Sequence, residues 1–177
     1  MAPRKVKCYY VLGLDTSTTC VGYSVFKVTE KTHKLTDYGK IVVPEDLGYL
    51  QKCEHIVNKI EAIINKIDTT GLKIALEEPN SFINGNTTRM LCGIYQIVRY
   101  MIYLRFAIES QGMNTKEVKK MMSGNGNAKK QEMVDAVNKM YGLKLNFHKT
   151  NKDKTDDDTS DAIAVAELYI RKIKEES

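Results

Sequence analysis

The sequence predicts an α/β fold, a mixed sheet with helices on its faces, and three observations lead there. Three β-forming runs stand close together near the start, with short joins that suit an antiparallel meander. A fourth, shorter apolar run ends on a pair of glutamates. Between and after these runs, apolar residues recur at spacings of three and four, which gives a helix one buried face.

Tyr9 to Leu14 is rich in β-formers and leads into Asp15, and a Thr/Ser turn joins it to Val21–Val28, where Val21, Tyr23 and Val25 alternate with Gly22, Ser24 and Phe26. Leu35 to Val43 reads as the third strand, closed by Pro44 and Gly48. Leu50, Cys53, Ile56, Ile60, Ile63 and Ile67 form the apolar face of a long helix, with Gly71 as its stop. Lys73 to Leu76 is a short strand that ends at Glu77-Glu78, because Pro79 cannot donate to a ladder.

After a polar loop from Asn80 to Asn86, a second long helix follows from Met90, Ile94, Ile97, Met101, Leu104 and Ile108. Thr115 is the expected N-cap of a short helix starting at Lys116. The loop Ser123–Asn127 separates it from a helix running from Ala128 to about Tyr141. Asn146 to Thr155 is irregular and polar, and a closing helix from about Asp158 to Lys172 carries Ala162, Val165, Ala166, Tyr169, Ile170 and Ile173 on one side.

A length of 177 residues points to one domain over residues 1–177, at roughly 100–200 residues per domain. No apolar run approaches the ~20 residues of a membrane span, and no apolar leader follows the basic start, so an intracellular protein is expected. Cys8, Cys20, Cys53 and Cys92 form no C-x-x-C pair, which argues for free thiols and against a zinc or redox motif.

The net charge of +5 is uninformative until it is located. Between Lys116 and Lys154 ten lysines face four acids, a surplus that holds the whole net charge. Such a tract is either a solvated surface or a face for nucleic-acid phosphates. It abuts Asp156, Asp157, Asp158 and Asp161, a juxtaposition suited to metal-dependent chemistry on a polyanion.

Asp15 and Glu77 both stand at strand ends, where α/β folds gather functional groups. Asp158 and Asp161 are three apart at a helix start and share one face, although aspartates there also serve as caps. Four converging carboxylates repel one another unless hard cations neutralise them, and an all-oxygen set favours Mg²⁺ or Mn²⁺. Two such ions ~3.5–4 Å apart can drive phosphodiester hydrolysis, which makes a nuclease the leading reading.

At these residues the sequence resembles the RuvC family of Holliday-junction resolvases, within the ribonuclease H-like superfamily. Val11 to Val25, with Asp15 and Gly22, resembles the family's first motif; Ala75-Leu-Glu77-Glu78 resembles the second acidic motif; and Asp158-Thr-Ser-Asp161-Ala resembles its closing Asp-x-x-Asp-Ala helix. Glu117 to Lys130 resembles the segment that precedes the last acids in bacterial resolvases. The resemblance implies a five-stranded RNase H-like mixed sheet flanked by helices, with catalytic and metal-binding acids at Asp15, Glu77, Asp158 and Asp161. Asp15 would serve both metals, Glu77 one, and Asp158 or Asp161 the other. It also implies basic residues at Lys119 and Lys130 near the scissile phosphate, and a homodimer acting on four-way DNA junctions by paired nicks.

Some positions keep alternatives open. Glu78 competes with Glu77, though strand alternation points them to opposite faces and alignment favours Glu77. Asp157 competes with Asp158. Lys116, Lys120, Lys129 and Arg89 are candidate DNA contacts, and Phe82 is a candidate stacking residue, although the family's aromatic wedge lies closer to the glutamate. His148, between the lysines and the acids, is a further candidate as metal ligand or general acid. The rival readings are a flap or RNA–DNA nuclease of the same fold, a non-catalytic nucleic-acid-binding module, and an actin-like ATPase or TsaB-like domain, whose first strand also reads Gly-hydrophobic-Asp-Thr-Ser.

Overall fold

Strand β1 (Cys8–Thr16) pairs antiparallel with β2 (Cys20–Thr29), which pairs antiparallel with β3 (His33–Val42), as the short joins between them require. The computed structural model describes residues 8–79, 85–151 and 155–176. Beyond β3 come α1 (Tyr49–Ile64), β4 (Lys73–Glu77), α2 (Asn86–Phe106), β5 (Gln111–Met113), α3 (Thr115–Ser123), α4 (Lys130–Tyr141) and α5 (Asp157–Glu175). The five strands form one mixed sheet in the order β3-β2-β1-β4-β5, with β4 parallel to both β1 and β5.

Strand alternation divides the core between the two faces of the sheet. Leu12, Leu14, Val21, Val25, Ile74 and Leu76 pack against α1 and α2, chiefly Ile56, Ile60 and Ile64 and Ile94, Val98 and Ile102. Val11, Phe26, Val28 and Ala75 face the other way, onto α3, α4 and α5. Full burial of each large aliphatic side chain contributes ~1.5–3 kcal/mol, so both layers hold the sheet firmly.

Helix α5 lies unusually close to β1 and β2. A Cβ on Gly13 would stand 2.4 Å from the Ala162 carbonyl oxygen and 2.7 Å from Ala166 Cβ, and one on Gly22 would stand 1.8 Å from the Asp158 carbonyl oxygen. Ser24, buried between strand and helix, donates to that Ala162 oxygen at 2.9 Å. Two glycines on the strands and two alanines on the helix thus set how near the start of α5 comes to the end of β1.

Several boundaries differ from the sequence reading. Asn114 caps α3, accepting from the backbone N–H groups of Lys116 at 3.0 Å and Glu117 at 3.4 Å, so Thr115 is the first helical residue and not the cap. Thr115 instead donates to the Glu78 carbonyl at 3.1 Å. The first long helix ends at Ile64, with Ile67 still packed on the core, and the second ends before Ala107, which adopts a left-handed conformation (φ 53°). Helix α4 begins at Lys130, two residues after Ala128, and α5 begins one residue before Asp158. Strand β5 is three residues long and contains Gly112, too short for any alternation to show. Among the described residues no helix is long and apolar enough to cross a membrane.

Candidate active site

The parallel register of β1 and β4 pairs Leu14 with Leu76, so Asp15 and Glu77 follow side by side at the carboxyl ends of adjacent strands. Both lie on the sheet face that α5 covers. Asp161, one turn into α5, completes a group in which one carboxylate oxygen from each of Asp15, Glu77 and Asp161 lies within 4.8 Å of the others. All three remain partly accessible to solvent.

Burial, then the neighbouring Glu77, Asp161 and Asp158 carboxylates, push the Asp15 carboxyl well above the ordinary range. Asp161 is likewise raised well above it by burial and Glu77. Glu77 is raised less, because burial is opposed by hydrogen bonds from Thr115 and Asp15 and by the charges of Lys119 and Lys130. A set of oxygen donors this crowded fits a hard divalent cation, whose charge would remove the repulsion.

Asp158 lies outside that triad of oxygens but contributes to the field on Asp15 and Asp161. Its carboxyl is raised by burial against a hydrogen bond from the Cys20 thiol. The thiol in turn is pushed up to about 12 by burial and by Asp158. Asp157 faces elsewhere: it is buried, accepts from Thr155 Oγ at 2.9 Å and forms an ion pair with Lys130. Burial pushes its carboxyl up, but Lys130 and Thr155 outweigh that and hold it below the ordinary value.

Glu78 is exposed, turned toward Gly112 and the Tyr95 hydroxyl on the α2 side of the sheet. Alternation along β4 therefore separates the two glutamates, and Glu77 is the one that meets Asp15.

Lys119 on α3 and Lys130 on α4 lie close enough to Glu77 for their charges to act on it, and Lys130 pairs with Asp157. The connection between their helices is built from short-range turns: Ser123 Oγ donates to the Lys119 carbonyl at 2.8 Å, Asn125 N–H donates to Ser123 Oγ at 3.2 Å, and Asn127 N–H donates to Asn125 Oδ1 at 3.0 Å. Gly124 supplies a left-handed residue (φ 81°) at the end of α3. Lys116, Lys120 and Lys129 are exposed on the same two-helix unit, and Arg89 is exposed in the first turn of α2. Phe82 lies outside the described residues, as do Lys152 and Lys154. His148 is exposed, and no hydrogen bond or ion pair described in the structure joins it to the acids.

The sequence reading missed three participants. Cys20 shares the Gly22–Ser24 face of β2, a placement that strand alternation could have signalled. Lys40, paired across the sheet with Gly22, donates to the Thr155 carbonyl at 3.0 Å and lies 3.8 Å from Asp156. Thr115, the expected cap, instead stands beside the acids, donating to the Glu78 carbonyl at 3.1 Å and helping to hold the Glu77 carboxyl down.

The family profile described as "Crossover junction endodeoxyribonuclease RuvC" matches residues 11–168. The chain belongs to that family. Its members are endodeoxyribonucleases, hydrolases of phosphodiester bonds. The RuvC protein of Brachyspira hyodysenteriae is 28% identical over 155 residues, covering 88% of this chain and 89% of that relative. The RuvC protein of Alkaliphilus metalliredigens is 28% identical over 159 residues, covering 88% and 89%. Among solved structures, Thermus thermophilus RuvC in complex with Holliday junction substrate matches with a TM-score of 0.71 at 19% identity, covering 93% of this chain and 96% of that one. The fowlpox virus resolvase with its Holliday junction matches with a TM-score of 0.55 at 13% identity, covering 93% and 98%. At those identities the structural matches establish the fold, which is RNase H-like.

Proposed function

We propose that this chain is a Holliday-junction resolvase that nicks four-way DNA junctions in a symmetric pair of cuts, using two Mg²⁺ or Mn²⁺ ions per site. The observation that carries the reading is the meeting of Asp15, Glu77 and Asp161 within the field of Lys119 and Lys130 in a chain of the RuvC family. The residues 1–177 would act as one nuclease domain, inside the cell where its DNA substrate is.

Asp15, Glu77 and Asp161 would hold the ions, with Asp158 completing the set from the same turn of α5. When bound, such ions supply Lewis-acid stabilisation of the phosphate and acidify the attacking water. The chain's own residues do the rest. Lys119 and Lys130 set positive charge where the phosphate oxygens gain negative charge, an effect worth most in a partly desolvated site. Lys116, Lys120, Lys129 and Arg89 would bind the flanking backbone, and Phe82 would stack on an unpaired base.

A two-fold junction calls for a two-fold enzyme. Support for a homodimer comes from α2, whose outer face exposes Tyr100, Tyr103 and Leu104 at helical spacing, each more than half accessible.

The test is cleavage of a labelled four-way junction beside linear duplex, flap and RNA–DNA hybrid, in Mg²⁺ and in EDTA, with Asp15→Asn in parallel. Paired nicks across the junction that need both metal and Asp15 are expected. Junctions bound but left intact in Mg²⁺ and Mn²⁺ would overturn the catalytic reading, and cutting mainly flaps or hybrids would overturn the substrate.

A further inference from the structure

We propose that Asp157 is a positioning residue: it anchors the Lys130 ammonium at the rim of the carboxylate cluster. The inference rests on the reading that Lys130 meets the scissile phosphate, and adds what holds it there.

Of the acids that open α5, Asp157 alone is buried, with 4% of its surface accessible. Its Oδ1 accepts from Thr155 Oγ at 2.9 Å, its Oδ2 takes the Lys130 ammonium, and its backbone carbonyl accepts from Ser160 Oγ at 2.9 Å. Both carboxylate oxygens therefore have fixed partners, and Thr155 holds the rotamer. The lysine end is different: its side chain is 60% accessible. A lysine that open, on the first turn of α4, would ordinarily extend into water on a flexible stem. Instead it turns toward α5, close enough for its charge to act on Asp158, Asp161 and Glu77.

A role in stability alone explains this poorly. A buried carboxylate is costly to desolvate, and an apolar residue of similar size would commonly hold two helices together at least as well. What the carboxylate adds is a fixed point for one ammonium at a surface open to DNA. A preorganised charge stabilises a transition state more than one that must be gathered during the reaction.

The experiment is a double-mutant cycle with Asp157→Asn, Lys130→Ala and the pair, read as single-turnover junction cleavage in Mg²⁺, junction affinity in EDTA, and thermal midpoint. Asp157→Asn is expected to slow cleavage on the order of 10- to 100-fold, with affinity nearly unchanged, and to add no further loss once Lys130 is alanine. Thr155→Val, which removes only the hydrogen bond to Oδ1, should give a smaller loss that also vanishes in the Lys130→Ala background; it serves if Asp157→Asn does not fold. Losses that multiply across the pair, as a purely structural role gives, would overturn the inference. So would an unaltered rate in Asp157→Asn when Lys130→Ala is slow, which leaves the function reading intact. An unaltered rate in Lys130→Ala overturns both this inference and the role given to that lysine.

Discussion

The carbonyl group of Asp158 occupies the space above Gly22 where any other residue would carry its Cβ, with the oxygen 1.8 Å from that position. The obstacle is backbone at the start of α5 and cannot rotate aside. Gly22→Ala therefore has to push away the turn that carries Asp158 and Asp161. It should cost about 3 kcal/mol in chemical denaturation, the upper end of ordinary overpacking, and cut cleavage more than junction binding. Gly13→Ala, against Ala162 and Ala166, should destabilise comparably; wild-type stability in either would contradict the close packing of α5.

Glu77 and Glu78 are neighbours that serve opposite sides of the sheet. Glu77→Gln should reduce cleavage on the order of 10²–10³-fold with junction binding retained, while Glu78→Gln should leave cleavage within about twofold. Single-turnover assays on the two variants decide which glutamate the site uses.

The raised carboxyls make stability depend on pH and metal. Asp15, Asp161, Glu77 and Asp158 all sit above their ordinary values, so the folded protein binds protons more tightly than the unfolded chain. Their favourable contribution is complete below the unfolded carboxylate range of about 4 and is lost as pH rises through the raised values. In EDTA the melting temperature should fall over that rise, and Mg²⁺ or Mn²⁺ at neutral pH should restore it. Asp15→Asn should flatten the pH dependence and weaken the response to metal.

Glu167 behaves in the opposite sense. Buried at 2% accessibility on α5, it takes the Tyr141 hydroxyl at 2.6 Å, Arg171 at 2.6 Å and His33 at 2.7 Å, joining α4 and β3 to the helix. Burial raises its carboxyl, but Tyr141, Arg171 and His33 outweigh that and leave it lowered. Its contribution is present above the unfolded glutamate value and lost as pH falls through the lowered one. Glu167→Ala should cost about 1–3 kcal/mol in urea denaturation, because the Tyr141 hydroxyl and His33 lose their hydrogen-bond acceptor. Cleavage per folded molecule should be little changed.

The layers and the strand-end acids were legible because alternation and helical spacing depend on residue type alone. Asp15 and Glu77 could be set at strand ends from the runs before them, and Gly22 marked the second strand. The partnership of Asp157 with Lys130 and of Cys20 with Asp158 could not be read. Each joins residues far apart in sequence, through contacts fixed only when α5 settles on Gly13 and Gly22. Asn114 and Thr115 have similar capping chemistry, and only the backbone path makes Asn114 the cap where the sequence leads one to expect Thr115. Strand β5 owes its existence to its neighbour β4, not to its own three residues.

The three closely grouped acids come from β1, β4 and α5, and no two of those elements adjoin in the chain. On the proposed assignment, no fragment or half-folded intermediate can assemble the cutting centre, since Asp161 arrives only when α5 docks over the glycines. On that assignment a chain in which α5 has not yet docked would lack a complete centre and leave DNA uncut.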